Sequence, residues 1–577
     1  MNLLRTVVLP TVLLAATASV SAWAAKPVAK HSADRPNILL ILVDDLGYSD
    51  LGAFGSEIET PNIDRLATEG HTLTNLHTTP LCSTSRANLL TGADHHLVGV
   101  GNLADLRPLY GDKASYGGEL NGNARTVAQL LRDAGYHSYM AGKWHLGKEG
   151  PEKWGFEQSF SLNPEAAYAN NFAIQGKVTG SRGESYFENG KRAVLPDDFF
   201  SSNYFVDRLQ QYITQDHDDG KPFFAYLPFQ AMHFPIQAPD ADLQRYRGRY
   251  DAGYEVIGAE RLARQKKLGL IPADFQANPG AEAKMWRFGS PGLRRNKPWS
   301  ELSEKDRRSE ARVMEVYAAM LSNLDANVGR LIDTLKKLGV YDNTLIVFTA
   351  DNGADGIGYG FVPYIDKKLN FDIDNSLENY GKASSFLFRS SRWAEVGSTP
   401  FRLFKAFTAE GGITAATIIK QPSKASGPKV VQALATDRDI VPTILALAGI
   451  ADPGAQYQGR AVAPIEGVSL LPALTGNKRE VHSDTEVFAD EVNEIRYVRR
   501  GPWKLTRINN KLMPSAARHL PHQWQLYDIV KDRGETRDVA AQHPEVVAEL
   551  KAEWRAYVKR VGVLQPSLPF FMPSLDE

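Results

Sequence analysis

Six consecutive apolar residues, Ile38, Leu39, Leu40, Ile41, Leu42 and Val43, run directly into Asp44 and Asp45. A run of that length without polar alternation fits a strand covered on both faces, and such strands belong to parallel sheets with helices on either side. In open α/β sheets, ligands bind beyond the carboxyl ends of the strands, which is where the two aspartates fall. Adjacent carboxylates repel unless a cation lies between them; their plainer use is as a helix or turn cap. The pattern recurs, because Leu345 to Phe348 reads as a strand that ends at Asp351, Asn352 and Gly353. Asp44, Asp45, Asp351 and Asn352 offer oxygen only, the donor set of Ca²⁺ or Mg²⁺ and not of zinc.

The second constraint is Cys82, the only cysteine of the 577 residues. Ser83, Thr84, Ser85 and Arg86 follow it, and Ala87 to Leu90 reads as the opening of a helix. A helix start beside a guanidinium is a place of positive potential, so the direct chemical reading is a nucleophile facing an anionic substrate. A small buried apolar residue is the plainer one. No intrachain disulfide can form.

Other units lead to the same sheet edge. Thr60 and Pro61 start a helix that runs to about Glu69. A helix from Thr126 to Ala134 stops at Gly135 and precedes a strand, Tyr136 to Ala141, which gives out at Gly142, Lys143, Trp144, His145, Leu146 and Gly147. Phe223 to Leu227 is a strand that leads to His233, which by itself reads as a core histidine among aromatics. Asp94, His95 and His96 read as structural or pocket-lining, since adjacent histidines diverge. Glu255 to Glu310 is charged and reads as surface helices and loops. Val313 to Leu335 has the spacing of one amphipathic helix. Ala354 to Thr399 shows few repeating patterns, as lids and rims do, and Lys405 and Glu410 follow it. Asp439 to Gly449 is a helix. Beyond about Ala451 come short strands near Thr485 to Ala489, Ile495 to Arg499, Trp503 to Thr506 and Trp524 to Tyr527, then a helix over Pro544 to Tyr557. These predict a small antiparallel sheet with a helix, packed on the main domain.

Arg5, the apolar stretch Val7 to Ala16 and the small residues at Ala22 and Ala24 read as a signal peptide over 1–24, which implies a periplasmic or secreted protein. Pro10 and the shortness of the run argue against a stable membrane span. The catalytic domain then covers 25–450 and the smaller subdomain 451–577. A formal net charge of -1, with 23% charged residues, argues against nucleic acid as a partner.

The segment Cys82 to Gly92 resembles the signature of the type I sulfatases of the alkaline phosphatase superfamily. The other motifs appear in the family's order: Asp44-Asp45, Gly142 to Gly147, His233, Asp351 to Gly353, and Thr399 to Ile413. Asp374 to Ala394 and Trp524 to Asp528 look most like bacterial arylsulfatases. The resemblance implies an α/β fold, with a large mixed, mostly parallel sheet sandwiched between helices (alkaline phosphatase-like) and a smaller C-terminal antiparallel sheet with a helix. It implies hydrolysis of aryl, alkyl or sugar sulfate esters, and conversion of Cys82 to formylglycine by a formylglycine-generating enzyme. By the same likeness Asp44, Asp45, Asp351, Asn352 and residue 82 would hold Ca²⁺, with Mg²⁺ as the alternative. Arg86 would steady the hydrated aldehyde, Lys143 and Lys405 would bind sulfate oxygens, His145 would hydrogen-bond the hydrate and His233 would face the leaving group. The family pattern has proline or alanine where this chain has Thr84. Two alternatives stand beside this reading: a phosphate or phosphonate ester hydrolase of the same superfamily, and a non-catalytic binder of sulfated glycans with Cys82 unmodified.

Overall fold

The apolar run is strand β1 (Asn37–Val43), buried along its whole length. The computed structural model describes residues 35–564, except 112, 163–169, 175–176, 179–185, 281–296, 358–371, 424–426, 428 and 509–522. The signal-peptide segment lies outside the described residues, and part of the Ala354 to Thr399 stretch does too. Among the described residues, no helix is long and apolar enough to cross a membrane.

The other main-sheet strands, in chain order, are β2 (His71–His77), β3 (His137–Lys143), β4 (Gln158–Leu162), β5 (Tyr186–Glu188), β6 (Lys191–Arg192), β7 (Phe223–Pro228), β8 (Thr344–Ala350), β9 (Thr414–Lys420), β10 (Val430–Val431) and β11 (Ala435–Thr436). They form one 11-stranded sheet in the order β10-β2-β9-β8-β1-β7-β3-β4-β5-β6, with β11 also on β2. Its centre, β8-β1-β7-β3-β4, is parallel, and β9 is the antiparallel member beside β8. The fold is the mixed, mostly parallel α/β sheet expected from the sequence.

Helices cover the sheet: α1 (Pro61–Glu69), α2 (Cys82–Thr91), α3 (Val127–Asp133), α4 (Ser201–Gln215), α5 (Tyr254–Lys267), α6 (Glu304–Lys337) and α7 (Ile440–Ala448). Thr126, read in the sequence as the start of this helix, is the N-cap of α3, with a full capping box through Gln129. Thr60 precedes α1 but does not cap it; its hydroxyl is bonded to Asp64 instead. The amphipathic segment is the C-terminal two-thirds of α6, which begins at Glu304 behind the cap of Ser303.

The C-terminal sheet is antiparallel: β12 (Val487–Val492), β13 (Ile495–Arg500), β14 (Trp503–Arg507) and β15 (Gln525–Asp528). It carries α8 (Pro544–Val561) on one face, through Val498, Leu505, Leu526, Leu550 and Trp554. Tyr457, Val462, Leu470 and Leu474 pack into the core of the main sheet.

His95 and His96 lie at the seam between the two sheets. His95 Nε2 meets Asp490 at 2.8 Å, and His96 sits between Asp94 at 3.1 Å and Glu491 at 3.6 Å. Tyr557 of α8 donates to Asp94 at 2.9 Å. The pair is thus structural. Burial opposes a charged ring, but Asp94 and Glu491 outweigh it and raise His96 from 6.5 to about 9. A raised folded-state value means that the clasp contributes fully below pH 6.5 and fades as pH rises through about 9. Melting curves of wild type and His96→Gln are therefore expected to differ by about 3 kcal/mol in stability near pH 6 and to converge above pH 9. A constant difference across that range would contradict the assignment.

Candidate active site

Register explains why distant motifs meet. β1 and β8 are parallel with Val43 opposite Ala350, so Asp44-Asp45 and Asp351-Asn352 leave the sheet side by side. β3 ends at Lys143 on the same edge, because it runs parallel to β7, β1's other neighbour. At Gly142 a Cβ would meet Pro228 O at 1.9 Å, so only glycine lets β3 and β7 approach there. Gly353 is held in the same way: its N–H donates to Gly412 O at 3.0 Å, and a Cβ would lie 2.0 Å from Gly411 O. That contact ties the Asp351 turn to the Lys405 loop.

Helix α2 begins at Cys82 itself, earlier than Ala87, and every one of its residues is buried. Thr84, in the first turn, donates to Leu81 O at 2.8 Å and touches the Thr79 hydroxyl, which in turn lies 2.8 Å from Ser85 Oγ. Here a hydroxyl cluster fixes the start of the helix.

Cys82 Sγ lies 4.0 Å from Asp45 Oδ1. Ligand atoms of Asp44, Asp45, Cys82 and Asp351 lie within 4.8 Å of one another, and all four residues are buried. Arg86 donates to Asp351 Oδ2 through Nε at 3.0 Å and Nη2 at 2.8 Å, and to Lys143 O at 2.8 Å; its Nη2 is 3.5 Å from Asp44. Lys143 bonds Asp44, and Lys405 reaches Asp45 at 2.7 Å. Asn352 donates to Asp45 Oδ1 at 2.7 Å. Three carboxylates thus face three cations at 7% side-chain exposure or less.

Burial would raise the Asp44 carboxyl, but Lys143 and Arg86 outweigh it and hold it well below the ordinary range. Burial and then Asp44 push Asp351 up to about 7, and burial raises Asp45. The Cys82 thiol is raised well above its ordinary value by burial and by Asp44, so among these side chains it stays neutral despite its place at a helix start.

Both histidines are buried and neutral. His145, with φ 57, is depressed by burial and by Lys143, and its Nδ1 has no hydrogen-bond partner. His233 is lowered to about 3 by burial and by Lys405. Its Nδ1 lies 2.7 Å from Phe234 O, which places the proton there and leaves Nε2, 3.7 Å from Asp45, as the acceptor. All ten residues singled out in the sequence therefore meet at one sheet edge.

Asp355 was not read from the sequence, and the aromatics of Ala354 to Trp393 were read only as a group that either faces a phenol or sugar or packs within the loop. Asp355 is a buried acid whose field reaches Lys405, Asp45 and His233. Phe234, Phe386 and Phe388 form an aromatic group, with ring centroids 4.6 Å apart for Phe234 and Phe388 and 5.5 Å for Phe386 and Phe388. Both lie wholly or partly in the unpatterned stretch after Asn352, where a further acid so soon after Asp351 was the one available signal.

A metal fits the donor set. Asp44 Oδ1 and Asn352 Oδ1 are buried with no hydrogen-bond partner, next to three gathered carboxylates. Orphaned hard oxygens of that kind suit a divalent cation such as Ca²⁺ or Mg²⁺.

An alkaline phosphatase-like sheet whose edge collects carboxylates, lysines and an arginine defines a hydrolase of anionic esters. Residues 36–450 match the family described as Sulfatase. An uncharacterized sulfatase of Schizosaccharomyces pombe is 38% identical over 553 residues, which is 92% of this chain and 94% of that protein. The arylsulfatase of Klebsiella aerogenes is 35% identical over 444 residues, 76% of this chain and 91% of that one. The crystal structure of Ps i-CgsB in complex with k-i-k-neocarrahexaose superposes with a TM-score of 0.62 at 23% identity, covering 93% of this chain and 95% of that one. The chain belongs to the sulfatase family and is a sulfuric ester hydrolase.

Proposed function

We propose that the protein hydrolyses aryl sulfate monoesters to a phenol and inorganic sulfate, with residue 82, as formylglycine, providing the attacking oxygen. The observation that carries this reading is the position of Cys82, at the head of a buried helix and 4.0 Å from Asp45, inside the ring of three carboxylates and three cations. Once a formylglycine-generating enzyme has oxidised the thiol to an aldehyde during maturation, the hydrate supplies one hydroxyl to take the sulfuryl group and a second whose deprotonation expels sulfate. A cation held by Asp44, Asp45, Asp351 and Asn352 would supply Lewis acidity toward a sulfate oxygen. Ca²⁺ is the metal proposed, on family likeness and the all-oxygen donors. Arg86 orients Asp351 and residue 82's helix, while Lys143 and Lys405 bind sulfate oxygens and stabilise the charge that shifts during transfer.

Neutral His145, with a free ring nitrogen, accepts a proton from residue 82's hydrate. His233 faces the leaving group: the proton lost by the attacking hydroxyl is relayed through solvent to Nε2 and from there to the departing phenoxide oxygen. Phe234, Phe386 and Phe388 stand on His233's side of the site, with the His233 and Phe234 rings 4.2 Å apart, and an aromatic leaving group would stack there. Export belongs to the same proposal, and a mature chain that starts at Ala25 is its check.

The test pairs a leaving-group series with a comparison of two esters. His233→Ala is expected to cost about 100-fold on esters of poorly acidic phenols and much less on p-nitrophenyl sulfate. Wild type is expected to turn over the sulfate ester of one phenol faster than its phosphate ester. Equal losses across the series would remove the role of His233, and faster phosphate turnover would favour the phosphate ester hydrolase.

A further inference from the structure

Lys405 sits in a turn whose own bonds include the Phe407 N–H to Phe404 O at 3.2 Å and the Gly411 N–H to Arg402 O at 2.8 Å. Leu403 and Ala406 on either side of it have φ of 56 and 73 degrees, a left-handed region that non-glycine residues occupy only when their surroundings enforce it. Within the catalytic domain, the Lys405 N–H donates to Ala354 O at 3.0 Å and the Ala406 N–H to Pro80 O at 2.9 Å. Several side-chain contacts of this loop come from the C-terminal sheet and the segment that follows it.

In β14 and β15, Lys504 pairs with Tyr527 and Thr506 with Gln525, so these four side chains share one face. That face meets the loop residue by residue. Arg402 donates to the Tyr527 hydroxyl at 2.8 Å and to Gln525 at 3.2 Å, and the Thr408 and Thr506 hydroxyls lie 2.9 Å apart. Lys504 Nζ lies 2.8 Å from Glu410 Oε1 and 2.9 Å from Glu535 Oε1, and all three are fully buried. Arg533 donates to Glu410 Oε2 at 3.0 Å, and the Glu410 N–H donates to Glu535 Oε2 at 3.0 Å. Two carboxylates thus contact Lys504 and Arg533, with Arg402 acting on Glu535 and Arg499 on Glu410, and with His77, lowered to about 4 by burial, as a neutral neighbour. Buried carboxylates hold their partners in place, and removal of the fully buried Lys504 ammonium leaves Glu410 and Glu535 undercompensated.

We propose that Lys504 is a positioning residue for sulfate ester hydrolysis: through Glu410 it fixes the loop that presents the Lys405 ammonium group. The proposal rests on Lys405 as a sulfate-oxygen ligand. Lys504 itself touches none of the ten site residues. The C-terminal sheet is on this account part of the catalytic apparatus, although every group assigned to the chemistry lies before residue 451.

The experiment is a double-mutant cycle on the full-length protein, with steady-state kinetics on p-nitrophenyl sulfate and melting curves. Lys504→Met is expected to raise KM and lower kcat/KM by about 10- to 100-fold, the scale of a misplacement near 1 Å. Lys504→Arg, which keeps the charge, is expected to recover most of the loss. In a Lys405→Ala background, Lys504→Met should cost less than about 3-fold more, because the group it positions is gone. The same factor in both backgrounds would overturn the proposal, since a merely structural role adds independently. Should Lys504→Met fail to fold, Tyr527→Phe and Thr506→Val each remove one hydroxyl from the seam; each is expected to show the same coupling to Lys405 with a smaller factor, and wild-type kinetics in both would overturn it. A Lys405→Ala enzyme with wild-type kinetics would instead overturn the reading of the site, and this proposal with it.

Discussion

Cys82→Ala is expected to lower turnover of aryl sulfates by at least about 10⁴-fold, the scale seen when a covalent nucleophile is removed. The fold should survive. Cys82 is buried in the first turn of α2, where alanine is a good helix residue, and loss of one sulfur from a packed site costs about 1 kcal/mol. Cys82→Ser discriminates further. A serine hydroxyl could accept the sulfuryl group but has no second hydroxyl on the same carbon to expel it, so the variant should release at most one equivalent of phenol and then stop. Burst kinetics followed by a plateau read this directly. Sustained turnover by either variant would show that another group attacks sulfur.

Arg86→Met is expected to destabilise the protein by about 3–5 kcal/mol and to abolish activity, because it breaks a fully buried charge set from one side. Arg86 makes two bonds to Asp351 Oδ2, a third to Lys143 O and a closer-than-4 Å approach to Asp44. Its own side chain has no exposure to water. Methionine fills similar space without charge, so Asp351, already pushed to about 7 by burial and Asp44, would lose its nearest cation and take up a proton. A protonated Asp351 is a poorer oxygen donor, so affinity for added Ca²⁺, measured by calorimetry, should fall with stability. Unchanged melting together with unchanged Ca²⁺ affinity would contradict the buried pairing of Arg86 with Asp351.

How much was legible in the sequence depended on where each residue's surroundings come from. β1 and β8 announce themselves because a strand buried on both faces must be apolar throughout, and the polar residues just past their ends then mark the sheet edge. β2, with the sequence HTLTNLH, gives no such signal. Its threonines and histidines are buried only because β9, β10 and β11 lie along it and Glu410 meets His77. Helix α4 has apolar residues at helical spacing, Phe205, Val206, Leu209, Tyr212 and Ile213, but no cap signal at Phe200 or Asp216 marks its ends. Within the site, residues that follow strands were found. Asp355 was not, and Phe386 and Phe388 were legible only as aromatics of a long loop, with facing substrate and packing equally open, because such a loop acquires its environment from distant contacts. The Glu410 set shows the limit most clearly: Lys504, Arg533 and Glu535 are separated from it by about a hundred residues or more, and nothing local to any of them signals a shared buried charge network.

Mass spectrometry of the peptide that contains Cys82, taken from enzyme of known specific activity, decides whether residue 82 supplies the attacking oxygen. An aldehyde at residue 82, reactive toward hydrazide reagents, is expected in a fraction of molecules that rises in proportion to activity across preparations. Full turnover of sulfate esters by protein in which residue 82 is wholly an alkylatable thiol would contradict it.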